Sequence, residues 1–337
     1  MNGKVETALV DFVLDHKLAE PGEPMHWTRL TGGVSSDLWR VELPGRSLCV
    51  KRALARLNVA ADWQAPISRN AAEWAWLRYA AQHIPDSVPT VLAHDPVAGL
   101  FAMSYLPPER YPVWKTQLMA GQVDPNVADS VGRTLGRLHA VSAGDAAVAR
   151  EFATDENFEA LRIEPYLRAT AHAHPDLADE LDQLARRTAG THLALVHGDV
   201  SPKNILVGPA GPILLDAECA WYGDPAFDLA FCLNHLLLKC LAVPAGRAAL
   251  RESAGGLVGA YLAEVTWEAV GDLEERVASL LPALLLARVD GKSPVEYLTT
   301  PADRDFVRRT ARSLLGAPPP RTADILEHWH VELGRRR

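Results

Sequence analysis

Apolar residues recur at helical spacing through the opening stretch MNGKVETALVDFVLDHKLAE, where Glu6, Asp11 and Asp15 interrupt any continuous apolar run. An amphipathic surface helix is expected there rather than a secretory leader. The rhythm then changes. In MHWTRLTGGVSSDLWRVELPGRSLCVKRA apolar and polar residues alternate between turns at Gly32-Gly33 and Pro44-Gly45, which predicts three short antiparallel strands. ISRNAAEWAWLRYAAQHI returns to helical spacing, and TVLAHDPVAGLFAMSYL reads as two strands around a turn at Pro96 to Gly99. From Pro107 helix follows helix, over Val127 to Ala140, Phe158 to His172, Leu177 to Arg187 and everything after Pro225. One stretch breaks that run: LALVHGDVSPKNILVGPAGPILLDAECAWYGDPAFDLA, short apolar segments separated by charged and polar groups.

These elements predict an α+β protein of two parts, a small β-rich lobe over residues 1–105 and a larger helical lobe over 106–337, parted at the proline-rich LPPERYP. The length of 337 residues, more than one typical core holds, agrees with a bilobal arrangement. No internal repeat or low-complexity tract is evident.

Composition narrows the partners. With 34 Lys and Arg against 42 Asp and Glu, the net charge of −8 has the wrong sign for a protein held on a phosphate backbone, so nucleic acid is not expected. The apolar runs HLLLKCLAV and ASLLPALLLARV fall short of the ~20 residues a membrane span needs, and a cytoplasmic protein is expected. Cys49, Cys219, Cys232 and Cys240 form no CxxC pair and read as buried free thiols. The oligomeric state is left open.

The chemistry concentrates in the interrupted stretch. His197, Asp199 and Asn204 spell H-x-D-x-x-x-x-N, and the strand-like GPILLD ends soon after at Asp216. Phosphoryl transfer asks little covalent chemistry of a protein; it asks for an oriented hydroxyl and for cations against phosphate oxygens. Asp199 suits the first need as acceptor of the hydroxyl proton, while the Asn204 oxygen and the Asp216 carboxylate suit Mg2+, a hard cation. Singly, each reads more readily as a turn residue, a cap or a surface charge; their order together favours the chemical reading. His197, preceded by apolar residues, is expected to be a packed scaffold histidine.

At these residues the chain resembles the aminoglycoside phosphotransferase and choline kinase family, small-molecule kinases with the protein-kinase fold. HGDVSPKNILV is similar to their catalytic loop, and LLDAECAWYGDPAFDLA to the metal-binding segment in which a glutamate follows the aspartate by two residues. The resemblance implies an ATP-dependent enzyme, with Glu218 as a second metal ligand beside Asp216, or a solvated carboxylate. It also implies that LTGGVSSDLWRV covers the phosphates through Gly32, Gly33, Ser35 and Ser36, and that Lys51 holds the α- and β-phosphates while paired with Glu73 on the following helix. Arg52 would face the other way. FAMSYL would be the adenine-binding hinge through Met103, Ser104 and Tyr105, and Asp228 would brace the catalytic loop. Asp224 reads as a helix N-cap.

Departures from the kinase pattern narrow the substrate. The hairpin has no G-x-G-x-x-G, and Ser201 stands where a protein kinase carries lysine, with Lys203 two residues away. The segment from Asp216 to Asp228 is too short for a peptide-binding activation loop, so a small hydroxylated acceptor is expected: an amino alcohol, a sugar or an aminoglycoside. Asn234, His235, Arg288 and Lys292 are candidates for meeting it, the last two on one helical face if the helix runs through Gly291. An acidic acceptor would suit that pair; salt bridges to Asp290 or Glu296 are the plainer role. A nucleotide-binding pseudokinase is the alternative function, disfavoured because a mere binder needs no Asp199.

Overall fold

Alternation sets the two faces of the sheet. In β2, Ser36–Leu43, the side chains of Trp39, Val41 and Leu43 are buried while Arg40 and Glu42 are only half-buried. The computed structural model describes residues 6–30, 36–54 and 69–336, and pairs β2 with β1, His26–Leu30, and β3, Arg46–Ala53. β4, Val91–Asp95, and β5, Leu100–Ser104, complete an antiparallel sheet of order β1-β2-β3-β5-β4. Trp39 opposes Val50 and Val41 opposes Leu48, and this face packs on α1, Thr7–Asp15, through Leu9, Phe12 and Val13. The opposite face carries Cys49 opposite Met103 and Lys51 opposite Phe101. It packs on Trp76 and Leu77 of α2, Arg69–His83. A one-residue slip would exchange the two faces, so the buried residues of β3 fix where Lys51 points.

The remainder is mainly helical. α3, Trp114–Met119, leads into α4, Pro125–Ser142, whose first turn has proline at N1 and Asp124 accepting from the Asn126 amide at 3.0 Å. After α5, Ala146–Glu151, the continuous helix expected over 158–172 is instead three pieces: α6, Asp155–Phe158, a π-helical segment over Glu159–Arg168, and α7, Ala169–Ala173. Pro165 lies inside the π-helix and removes an amide donor there, which disfavours a regular α ladder. α8, Ala178–Gly190, follows. Two small ribbons then frame the interrupted stretch: β6, Ala194–Val196, pairs with β9, Trp221–Gly223, and β7, Ile205–Gly208, with β8, Gly211–Leu214.

α9, Ala226–Ala242, is apolar almost all round and buried from Ala226 to Leu241, as a helix at the centre of a core must be. α10, Arg247–Leu262, and α11, Val270–Asp290, flank it, and α12, Pro301–Gly316, and α13, Thr322–Gly334, close the chain. One hydrophobic core runs from Cys49, Trp76 and Phe101 through Leu195 and Ile205 to Leu284. The four cysteines are free and buried, and no helix among the described residues is long and apolar enough to cross a membrane.

Candidate functional site

The loop between β6 and β7 is held from below. Asp228, fully buried in the first turn of α9, accepts from the amides of His197 at 2.7 Å and Gly198 at 2.8 Å and faces His139 Nε2 at 3.3 Å. Gly198 is required: its φ is 76°, and a Cβ there would lie 2.5 Å from the Cys219 carbonyl oxygen. His197 donates from Nε2 to the Leu215 carbonyl at 3.1 Å and accepts at Nδ1 from the Asp199 amide at 3.2 Å, which selects the neutral tautomer. Burial lowers its pKa, and its ring meets the edge of Trp76 at 4.9 Å.

Asp199 emerges from this scaffold 4% exposed, with Oδ2 facing Arg162 Nη2 at 2.9 Å and Lys203 Nζ at 3.2 Å. Burial opposes its charge, but Arg162 and Lys203 outweigh burial and hold the carboxyl below its ordinary pKa. Lys203 thus reaches the carboxylate from a place in the sequence that matches no protein-kinase lysine. Asn204 Nδ2 donates to the Asp199 carbonyl at 3.1 Å, and among the described residues Asn204 Oδ1 makes no hydrogen bond. Asp216, just past β8, has φ 66°, an uncommon conformation for a residue with a Cβ.

Lys51 joins the two halves of the chain. Its ammonium, on a side chain 7% exposed, lies 2.8 and 2.6 Å from the two Glu73 oxygens and 2.5 Å from Asp216 Oδ1. Burial works against the ammonium, yet Asp216 and Glu73 hold its pKa up; Asp216 is held down in turn by Lys51 and Lys203 against its own burial. Burial pushes Glu73 up to about 7, with Lys51 acting the other way. Arg52 does turn to the opposite face, bonding Glu6 at 2.6 Å and Asp37 at 3.2 Å.

The oxygen donors fit a hard divalent cation. Among the described residues no group of three or more His, Cys, Asp or Glu forms a metal cage. One carboxylate, Asp216, and one amide oxygen, Asn204, are a set suited to Mg2+, which takes few protein ligands beside substrate phosphates. Glu218 is less free than expected: its Oε2 accepts from buried Arg69 Nε at 3.0 Å.

The remaining expectations divide. Gly32, Gly33 and Ser35 lie outside the described residues; Ser36 opens β2, buried opposite Ala53. Met103 is buried in the main core. The Ser104 amide bonds the Thr90 carbonyl at 2.8 Å and its hydroxyl accepts from the Thr90 amide at 3.0 Å, so the Ser104 N–H is committed to the sheet. Tyr105 follows the strand, with the Arg40 guanidinium 4.4 Å over its ring. Asp224 accepts from the Ala226 amide at 3.0 Å, as a cap does.

The expected face shared by Arg288 and Lys292 does not form, because α11 stops at Asp290. Lys292 is exposed and pairs with Glu164 at 2.7 Å, whereas Arg288 is buried and donates to Tyr166 Oη at 3.1 Å and Ser293 Oγ at 3.0 Å. Nor do the plainer salt bridges form: Asp290 bonds His174 and Arg308, and Glu296 bonds Lys115. Asn234 and His235 are buried in α9. Sequence reasoning missed Arg162, Arg69 and Lys239; the last had a signal, a lone lysine in the apolar run HLLLKCLAV. A groove of about 680 Å³ along α12 and α13 shares no residue with this cluster.

A family model described as "Phosphotransferase enzyme family" matches residues 26–271. A methylthioribose kinase from Escherichia coli O45:K1 is 28% identical over 257 residues, covering 67% of this chain and 61% of that protein. The match thus spans about three-fifths of the length of such relatives. Among solved structures, a choline/ethanolamine kinase family protein from Mesorhizobium loti superposes with a TM-score of 0.54 at 18% identity, covering 96% of this chain and 98% of its own. An amicoumacin kinase in complex with AMP-PNP, Ca2+ and Ami gives 0.54 at 15% identity, covering 89% and 91%. The fold is the bilobal, protein-kinase-like α+β fold expected from the sequence.

Proposed function

The chain belongs to the phosphotransferase enzyme family, and from that premise we propose that it transfers the γ-phosphoryl group of ATP to a hydroxyl of a small molecule. The observation that carries this reading is the bond from Lys51 to Asp216, 165 residues apart, formed beside Glu73. A cation for the α- and β-phosphates and a carboxylate for the metal are thereby brought together.

In this reading Lys51 binds the phosphates and Glu73 orients it. Asp216 and Asn204 would hold Mg2+, which when bound offsets charge on the phosphate oxygens. The AMP-PNP and Ca2+ in the amicoumacin kinase complex support an adenine nucleotide and a divalent cation here. Asp199 orients the acceptor hydroxyl and takes up its proton; Arg162 and Lys203 fix its carboxylate through Oδ2 and keep it ionised. Asp228 and His197 hold the loop, and Glu218, engaged by Arg69, is left out of the metal set. With the Ser104 amide taken, adenine is met by the chain beyond Ser104, starting at Tyr105.

The test is Asp199→Asn. ATP affinity should stay within a few-fold while turnover of a hydroxylated acceptor falls on the order of 10²–10⁴-fold, since shape is kept and proton acceptance is lost. Near-normal turnover would remove Asp199 from its role, and a wild-type protein that binds ATP but phosphorylates no acceptor would be a binder instead.

A further inference from the structure

Behind Asp199 the interior collects cations, two of which meet no carboxylate among the described residues. Lys239, in α9, is 1% exposed; among the described residues it makes neither hydrogen bond nor ion pair, and its Nζ lies 4.8 Å from the centre of the Tyr297 ring. Arg288 donates only to neutral oxygens, on Tyr166 and Ser293, and its buried Nε has no partner among the described residues. His235, one turn before Lys239, is 5% exposed and its ring makes no hydrogen bond among those residues. Arg288, Lys239, Lys203 and Lys115 all act on it electrostatically. Lys115 has Glu296 as its carboxylate; Lys239 and Arg288 have none among the described residues. The Tyr297 hydroxyl, also buried, is unpartnered there too.

Packing alone does not explain this group. A buried ammonium without an anion is costly, and a ring face offsets only part of that cost. The cluster also adjoins the proposed catalytic carboxylate. Arg162, 2.9 Å from Asp199, stands 5.8 Å from the Tyr166 ring and 5.6 Å from that of Phe231. Tyr166 accepts from Arg288, and the Phe231 ring lies 5.3 Å from that of His235. Lys203 faces Asp199 and is at the same time one of the cations acting on His235.

Resting on the phosphotransferase reading above, we propose that Lys239, Arg288 and His235 dock an acidic group, carboxylate or phosphate, on the hydroxyl-bearing acceptor. The substrate class is then a hydroxylated acid, whereas an amino alcohol or aminoglycoside would bring positive charge to positive charge. Burial first, then Lys115 and Arg288, hold the Lys239 ammonium down at about 7, with Cys232 and Glu296 acting the other way. A bound anion favours the protonated form, so docking takes up a proton and weakens as pH rises above 7.

Calorimetric titration of the nucleotide-free protein with glycerate, glycerol 3-phosphate and glycerol tests this. At least one of the two anions should bind saturably and glycerol should not; the tighter anion distinguishes carboxylate from phosphate. Lys239→Met, which removes an unpaired buried charge and so should fold, and Arg288→Met should each weaken that binding on the order of tenfold or more. Binding of neither anion, glycerol binding as tightly, or anion affinity unchanged in both variants overturns the docking site. The kinase reading fails separately: anion binding that depends on Lys239, in a protein that moves no phosphoryl group from ATP to any hydroxylated acid, leaves the docking site standing and overturns phosphoryl transfer.

Discussion

Lys239 carries a measurable cost in the folded state. Its pKa falls from 10.5 to about 7 on folding, chiefly because burial penalises the charge. Between those values the unfolded chain holds a proton that the folded chain has released, so this residue makes stability rise with pH across the window; below about 7 its penalty is full and constant. Lys239→Met is therefore expected to raise the midpoint of thermal unfolding at pH 7, with the gain over wild type shrinking toward pH 10. An equal or lower midpoint at pH 7 would mean that the ammonium is better served than its surroundings indicate. At this scale the sequence was legible where candidate groups lie near one another along the chain, as Asp199, Asn204 and Asp216 do. It was silent where a role arises only from folding: Arg162 meets Asp199 across 37 positions, and no spacing announces it.

Among the elements, α4 and α10 pack extensively against each other. A Cβ on Gly132 would lie 2.3 Å from the Leu257 carbonyl oxygen, and one on Gly136 would lie 2.7 Å from Glu264 Cβ, so glycines let the two backbones approach. Gly255, in α10, has open space around its missing Cβ. Gly132→Ala should lower stability by about 1–3 kcal/mol through overpacking against backbone. Gly255→Ala should raise it by up to about 1 kcal/mol through helix propensity. Denaturant midpoints of the two variants decide the matter, and a stabilised Gly132→Ala would contradict the packing. Period-two alternation made β2 legible, since its alternate side chains are buried, whereas β5, buried from Leu100 to Met103, was marked by the turn at Pro96 to Gly99 that precedes it. The π-helix was not: ten residues, Glu159–Arg168, are too few to set their own apolar period apart from that of the flanking helices, and Pro165 was the one mark of irregularity.

The molecule as a whole brings one strand of the sheet against the end of a ribbon in the helical half. Lys51 on β3, Glu73 on α2, and Asp199 and Asp216 on the loops around β7 and β8 come from four separate places in the chain. In the proposed function these groups serve one magnesium-bound nucleotide. Calorimetric titration with ATP, with and without Mg2+, in wild type and Asp216→Ala, tests it most directly. Saturable binding that requires Mg2+ is expected in the wild type, falling on the order of tenfold or more in Asp216→Ala. Binding indifferent both to Mg2+ and to Asp216, or no binding of ATP by the wild type, would contradict it.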